Sequence, residues 1–372
     1  MTALPHEIYD LDTPCLVLDM NIVEQNLKTM QETVSNKGKA VRPHIKTHKC
    51  SKLAKKQIES GAIGVCVAKL SEAEKLVEAE ISDILITGPI VSENKIRKLA
   101  ALLLRAPSIM VVVDNPQNIL SLETALGNHG IPINVLLDVD VGLHRTGVQP
   151  AEALGLADLI DSSKCMNLCG IQAYAGQVQH IANYEERKDS SLRCLQPAVD
   201  IYKTLREKIP GCSIFSTSGT GTFDIDVALP EITELQVGSY VCMDVEYLSI
   251  GSHRNSTSFD LFQPALRLLS TVVSNTHTDF VTVDAGLKSL YRDGGHPKVL
   301  PLKESDLRYD WFGDEYGRIS GSPNTALPTI GSVVELVTSH CDPTINLHDR
   351  LFITRGKRVV DSWAIDLRGC SR

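Results

Sequence analysis

Between residues 41 and 242, apolar runs of roughly four to seven residues alternate with longer segments whose apolar positions repeat every three or four, the helical period. The runs fall at 41–46, 64–69, 84–87, 109–114, 134–140, 169–176, 214–217 and 235–242, and each reads as a strand buried on both faces. Helical patterns lie near 50–61, 71–79, 92–104, 116–128, 150–162 and 184–208; the last connection is short and less regular. Eight strands separated by helices predict an α/β fold, a (β/α)8 TIM-type barrel. The alternative, an open doubly wound sheet, would carry a GxGxxG turn after its first strand, and no such turn is present.

After Gly251 the texture changes. Segments 265–273, 280–285, 332–338 and 351–354 alternate in β fashion between Gly/Pro/Asn/Asp clusters, which predicts a C-terminal, mostly antiparallel β domain. Segment 15–18, just before a helix at 21–36, is available to pair with it. The expected domains are therefore 20–250 for the barrel, and 1–19 plus 251–372 for the β domain. A chain of 372 residues suits a large barrel with a smaller companion.

Composition narrows the function classes. The net charge of -8 and the lack of a long Lys/Arg block argue against a nucleic-acid binder. Apolar stretches such as 109–113 fall far short of the ~20 residues that cross a bilayer, so no membrane partner is expected. The start, MTALPHEIYDLD, has no basic segment followed by an apolar run, so no signal or transit peptide is expected. Ten scattered cysteines without a CxxC pair point to reduced thiols and a cytoplasmic protein.

In a barrel of this kind the active site lies at the carboxyl ends of the strands, which filters the polar residues sharply. Lys46 ends the first strand, Arg145 follows the fifth, Tyr174 lies near the end of the sixth and His180 on the loop beyond it. Ser218, Gly219, Thr220 and Gly221 follow the seventh, and Gly238, Ser239 and Tyr240 lie in the region of the eighth. A lysine in RPHIKTHK pointing into a barrel is costly unless it is paired or reacted, and a Schiff base with an aldehyde cofactor is such a reacted form. The alternative is a surface lysine just past the strand. The two glycine-containing turns offer backbone N–H groups and hydroxyls to a phosphate, at a place where barrels often hold one; the alternative is a flexible turn. In SHCDPTINLHD, an extended backbone would put His340 and Asp342 on one face and Cys341 on the other. One imidazole and one carboxylate suit a divalent metal, Mn²⁺ or Mg²⁺ ahead of Zn²⁺. The alternative is a turn opened by Asp342-Pro343. Ser216, Ser218, His180 and Asp224 form no GxSxG elbow, and His44 and His48 form no HExxH pair.

Taken together, LDTPCLVLD, RPHIKTHK, GLHRTG, IQAYAGQVQH, SGTG, ELQVGSYVCMD, VDAGLKS, HCDPTINLHD and WAIDLRG occur in an order and spacing similar to the D-threonine aldolase and D-serine dehydratase group. That group resembles alanine racemase in its barrel and is identified with fold type III of the pyridoxal-phosphate enzymes. The resemblance runs over nearly the whole chain. It implies that Lys46 holds pyridoxal 5'-phosphate, Arg145 faces the pyridine nitrogen, and Tyr174 lies close by. It implies further that Ser218, Gly219, Thr220, Gly238, Ser239 and Tyr240 surround the phosphate, that His340 and Asp342 hold the metal, and that His180 is the general base. The YxGxxQH string from Tyr174 and the Asp342 position, a cysteine in the dehydratase branch, favour the aldolase branch. Two positions depart from the family's pattern: Tyr316 replaces a histidine, and Thr217-Ser218-Gly219 replaces a run of glycines.

The implied reaction is cleavage of a D-3-hydroxy-α-amino acid such as D-threonine to glycine and an aldehyde, by a homodimer. A dehydratase acting on D-serine or D-3-hydroxyaspartate would release a keto acid and ammonia instead. A non-catalytic carrier of the coenzyme is the reading from another class, and the β domain of about 120 residues counts against it.

Overall fold

The computed structural model describes residues 5–302 and 306–372, so the first four residues of the predicted segment 1–19 and residues 303–305 lie outside the described residues. The chain forms two compact units. One comprises Met30–Lys46, Leu53–Gly238 and Gly369–Arg372; the other comprises Met1–Thr29, Thr47–Lys52 and Ser239–Arg368. These divisions differ from the expected boundaries at 20 and 250, and the hydrogen bonds show why. The Ser51 N–H and hydroxyl donate to Asp366 at 2.9 and 2.5 Å, and Leu367 N–H donates to the Lys49 carbonyl. Val245 and Glu246 N–H donate to the carbonyls of Thr338 and Ser339.

The first unit is a barrel of parallel strands. In chain order they are Ala40–Val41, Val65–Val67, Ile84–Ile86, Met110–Val113, Ile133–Asp138, Met166–Ala173, Ile214–Thr217 and Glu234–Leu235. From the second on, each pairs with the next, and the first pairs with the last through Ala40 and Glu234. The remaining gap closes between strands one and two, where Cys66 N–H donates to Pro43 O and Ile45 N–H to Cys66 O. Between the strands run the helices Ser51–Glu59, Leu70–Glu78, Glu93–Leu103, Pro116–Gly127, Ala153–Asp161 and Tyr184–Lys208, with the short Phe223–Asp226 before the last strand. Their starts are written locally: the side chains of Ser92, Asn115 and Asn183 each accept a backbone N–H of the first turn, and Pro116 opens its helix where no donor is needed.

The expected first strand, 41–46, is shorter in the structure. The regular strand is Ala40–Val41; Arg42 and His44 N–H still donate to Leu235 and Val237 O, but Pro43 has no N–H to give on the strand-two side, and Lys46 stands in a turn after the bridge at His44. The expected eighth strand, 235–242, likewise ends at Leu235, and Ser239–Val241 is a 3₁₀ turn.

On the inward face of the barrel Cys66, Leu85, Met110, Val112 and Leu136 pack together. Towards the amino ends of the strands, Arg42 Nε donates to both oxygens of Glu234 at 3.0 and 3.1 Å, with both side chains buried. Removing one partner of such a pair strands a charge away from water. Glu234→Ala is therefore expected to cost about 3–5 kcal/mol of stability, read as a lower midpoint in chemical unfolding. An unchanged midpoint would show that water reaches Arg42. Towards the carboxyl ends the same face turns polar. Gln172 Nε2 donates to Asp138 Oδ1 at 2.9 Å and, across the interior, to the Thr87 carbonyl at 3.3 Å; Gln236 Nε2 donates to Gln172 and Ser216.

The second unit is built on a sheet with, among the described residues, nine strands. Their spatial order is Phe280–Val283, Gly317–Ser320, Arg308–Trp311, Lys298–Val299, Val333–Val337, Leu266–Ser274, Cys15–Asp19, Arg350–Arg355 and Arg358–Ala364. Leu266–Ser274 also pairs with Phe280–Val283, so the first six strands close into a ring. All pairings are antiparallel except Cys15–Asp19 with Arg350–Arg355. The N-terminal strand is wholly buried, which explains its unbroken apolar run. Among the described residues no helix is long and apolar enough to cross a membrane.

Candidate active site

In the barrel unit, the expected residues all follow strands at their carboxyl ends. The Lys46 side chain is exposed, and its backbone N–H donates to His44 Nδ1 at 3.4 Å. The opposite nitrogen of that ring, Nε2, lies 3.0 Å from Thr87 Oγ1, just past strand three. The turn carrying the amine is thus tied to the end of strand three, two strands along the barrel.

Arg145 stands on the loop after strand five, and three carboxylates pin that loop. Asp140 Oδ1 accepts the N–H groups of Gly142 and His144, both at 3.0 Å, and its Oδ2 accepts from His144 Nδ1 and Gln149 Nε2. Burial opposes the Asp140 charge, but the bonds from His144, Gly142 and Gln149 together outweigh it and bring the pKa down to about 2. Asp138 Oδ2 accepts from Thr146 Oγ1 at 2.8 Å, and Asp114 Oδ2 from Gly147 N–H at 2.9 Å. Burial pushes Asp138 up to about 6 even though Gln172 and Thr146 donate to it. The Arg145 guanidinium lies 5.7 Å from the centre of the Tyr174 ring, one residue past strand six. Its charge favours the ionised form of Asp138, against the burial of that carboxyl.

After strand seven the SGTG turn is buried: Ser218 and Thr220 are each about 1% exposed. Ser218 has a φ of 78°, the left-handed region that usually selects glycine. Its Oγ lies 3.4 Å from Thr222 Oγ1. His180 is exposed, one residue past Gln179, on the segment that follows the 3₁₀ turn Gly176–Val178. Gly238 closes the barrel unit after strand eight. An amine, a guanidinium beside an aromatic ring, and a hydroxyl-bearing glycine turn match, in type, an aldehyde, a ring nitrogen and a phosphate. The donor set therefore fits pyridoxal phosphate.

The other unit holds Ser239, Tyr240, His340 and Asp342. Here the extended backbone expected for 340–342 is corrected. His340 is extended, but Cys341–Ile345 is a short helix with His340 at its cap, and Pro343 is tolerated because it sits in the first turn. As a result Cys341 does not simply face away. It is fully buried, its N–H donates to Asp244 Oδ2 at 2.9 Å, and its thiol reaches Asp342 Oδ1 at 3.5 Å. His340 Nε2 still faces Asp342 Oδ1, at 4.0 Å, too far for a hydrogen bond. His340 Nδ1 is turned to Asp293 at 3.2 Å and Glu246 at 3.7 Å. The Ser239 hydroxyl donates to Asp342 Oδ1 at 3.4 Å, and the buried Tyr240 ring packs on Phe262. Among the described residues no three His, Cys, Asp or Glu side chains converge as a metal cage. The imidazole and carboxylate fit a cation that completes its shell with other oxygens.

The structure thus brings Arg145 to Tyr174, and Ser239 and His340 to Asp342. It also shows what the sequence does not mark: the parts played by Asp138 and Asp140, set by loop geometry, and the distant partners of Gln179, the glutamine of the YxGxxQH string.

The alanine racemase N-terminal domain family matches residues 18–245, and the putative serine dehydratase domain family matches residues 265–354. The chain is 39% identical to a D-threonine aldolase of Arthrobacter sp., over 97% of this chain and 94% of that protein. It is 32% identical to a 3-hydroxy-D-aspartate aldolase of Paracoccus denitrificans, over 97% and 93%. The crystal structure of D-threonine aldolase from Filomicrobium marinum superposes with a TM-score of 0.92 at 35% identity, covering 100% of this chain and 99% of that one.

Proposed function

The chain belongs to the D-threonine aldolase and D-serine dehydratase family with its alanine-racemase-type barrel, and on that premise we propose a pyridoxal-phosphate-dependent aldehyde-lyase that cleaves D-3-hydroxy-α-amino acids to glycine and an aldehyde. One observation carries the reading in this chain: an amine, a guanidinium over a tyrosine ring and a glycine–hydroxyl turn follow strands one, five and seven of a single barrel, all at the carboxyl end. The aldolase branch is favoured over the dehydratase because Asp342, a carboxylate, stands in the second metal position. The protein is proposed to act in the cytoplasm as a homodimer, on the strength of its cysteine usage and its family.

Lys46 would hold the coenzyme through its aldehyde carbon. Arg145 would direct N–H donors at the pyridine nitrogen, beside Tyr174. Ser218, Gly219, Thr220 and Gly238 would hold the phosphate, with Ser239 and Tyr240 joined to that set by their place next in the chain. Pyridoxal phosphate supplies the electron sink for the pair left at Cα. His340 and Asp342 would hold a divalent cation, Mn²⁺ or Mg²⁺ rather than Zn²⁺, which lowers the pKa of the substrate's β-hydroxyl. His180 accepts that hydroxyl proton on a ring nitrogen, directly or through one water. The Cα–Cβ bond breaks, the β-carbon leaves as the aldehyde, and a proton returns to Cα to give glycine.

The test is D-threonine with Mn²⁺ and coenzyme, assayed for acetaldehyde, glycine and ammonia in parallel. Acetaldehyde and glycine in equal amounts, without ammonia, are expected. Ammonia with a keto acid would move the protein to the dehydratase branch, and no product from any D-3-hydroxy amino acid would leave the carrier reading. In the same assay His180→Ala is expected to slow acetaldehyde release by about 10²- to 10⁴-fold with coenzyme absorbance unchanged. Unaltered turnover would assign the proton to another base.

A further inference from the structure

One side chain ties the segment leading to His180 to the SGTG turn. Gln179 is 1% exposed. Its Oε1 accepts Gly221 N–H at 3.0 Å, and its Nε2 donates to Thr222 Oγ1 at 2.9 Å and to the Ala175 carbonyl at 3.3 Å. Both amide protons are used, and the chain of donors runs on, since Thr222 Oγ1 donates to Asp226 Oδ2 at 2.6 Å. Asp226 is held from its other side by Ser191 Oγ at 2.6 Å. Arg187 completes the bracket, donating from Nε to the Gly221 carbonyl at 2.8 Å and from Nη1 to the Ile181 carbonyl at 2.6 Å.

The two glycines of the turn answer to the same residue. A Cβ at position 219 would lie 2.5 Å from Gln179 Oε1, and one at 221 would collide with the Gln179 carbonyl. Glycine is required here for the close approach of Gln179, over and above any phosphate.

We propose that Gln179 is a positioning residue that sets the turn taking the coenzyme's phosphate and, as the chain neighbour of His180, fixes the segment from which that imidazole works. The inference rests on the reading given under Proposed function. A buried amide with donors and acceptor all satisfied holds two loops in one register, and replacing it with an apolar chain leaves the Gly221 N–H without its partner. A merely structural residue would weaken every ligand alike, whereas a phosphate-positioning residue weakens only ligands that carry phosphate.

The experiment compares apoprotein affinity for pyridoxal 5'-phosphate and for pyridoxal, which lacks the phosphate, in wild type, Gln179→Met and Gln179→Glu. Gln179→Met removes donors and acceptor at similar length; Gln179→Glu keeps the acceptor and gives up both donors. Each is expected to bind pyridoxal phosphate about tenfold more weakly, with pyridoxal affinity unchanged and a lower kcat at saturating coenzyme. Equal loss for both ligands, or loss for neither, in either variant that folds overturns the role of Gln179 alone. A wild type that binds both ligands equally overturns the phosphate assignment itself, and this inference with it.

Discussion

Lys46→Ala is expected to abolish the visible absorbance of the bound coenzyme and to lower aldehyde release by about 10³-fold or more. The lysine carries two duties that no neighbour duplicates: it fixes the coenzyme covalently and places a titratable amine at the reacting carbon. The turn that presents it does not depend on the side chain, because the backbone N–H of Lys46 is bonded to His44 and His44 to Thr87. The variant should therefore fold as the wild type does, so that lost activity reports chemistry. Lys46→Arg sharpens the test, since it keeps a positive charge but no nucleophilic amine. Its absorbance should also vanish. A Lys46→Ala protein with wild-type absorbance would place the attachment elsewhere.

Exhaustive chelation is expected to reduce cleavage by about 10²-fold or more, the scale on which a Lewis acid assists loss of a hydroxyl proton. Mn²⁺ or Mg²⁺ should restore it. Asp342→Ala should show the same loss without restoration, because His340 would then face the ion alone across a gap of 4.0 Å in the native pair. Direct binding gives an independent measure: Mn²⁺ should titrate to one site per chain in the wild type and to none in Asp342→Ala. Full activity in chelated protein would remove the metal from the scheme. Restoration by Zn²⁺ ahead of Mn²⁺ would contradict the hard-ion preference drawn from the imidazole–carboxylate pair.

The sequence marks the barrel well where strands are buried on both faces. The runs at 84–87 and 109–114 coincide closely with Ile84–Ile86 and Met110–Val113 because nothing polar lies within those strands, and 214–217 coincides with Ile214–Thr217 although Ser216 and Thr217 are polar. It marks less where pairing is sparse. Pro43 cuts the first strand, and the short strands Arg308–Trp311 and Gly317–Ser320 alternate with charged, exposed positions that resemble loop. The helix Cys341–Ile345 is hidden by Pro343, which reads as a turn although a first-turn proline suits a helix.

The candidate site divides in the same way. Lys46, Arg145 and Ser218 to Thr220 could be nominated because the strands are legible and barrel chemistry sits beyond their carboxyl ends. Gln179 stands in the YxGxxQH string, yet its role could not be read there, since its partner Gly221 is 42 residues away. Asp140 lies in the string before GLHRTG, yet its role as the clamp of the Arg145 loop depends on two residues with positive φ, Gly142 and His144. Such contacts are products of the fold and leave no periodic trace.

The most direct measurement is borohydride reduction of the protein with pyridoxal phosphate, followed by proteolysis and mass spectrometry of the peptides. The expected result is a single stable adduct, one per chain, on the lysine of Pro-His-Ile-Lys, residue 46. An adduct on any other lysine, or none at full coenzyme occupancy, would contradict the assignment from which the site and its chemistry follow.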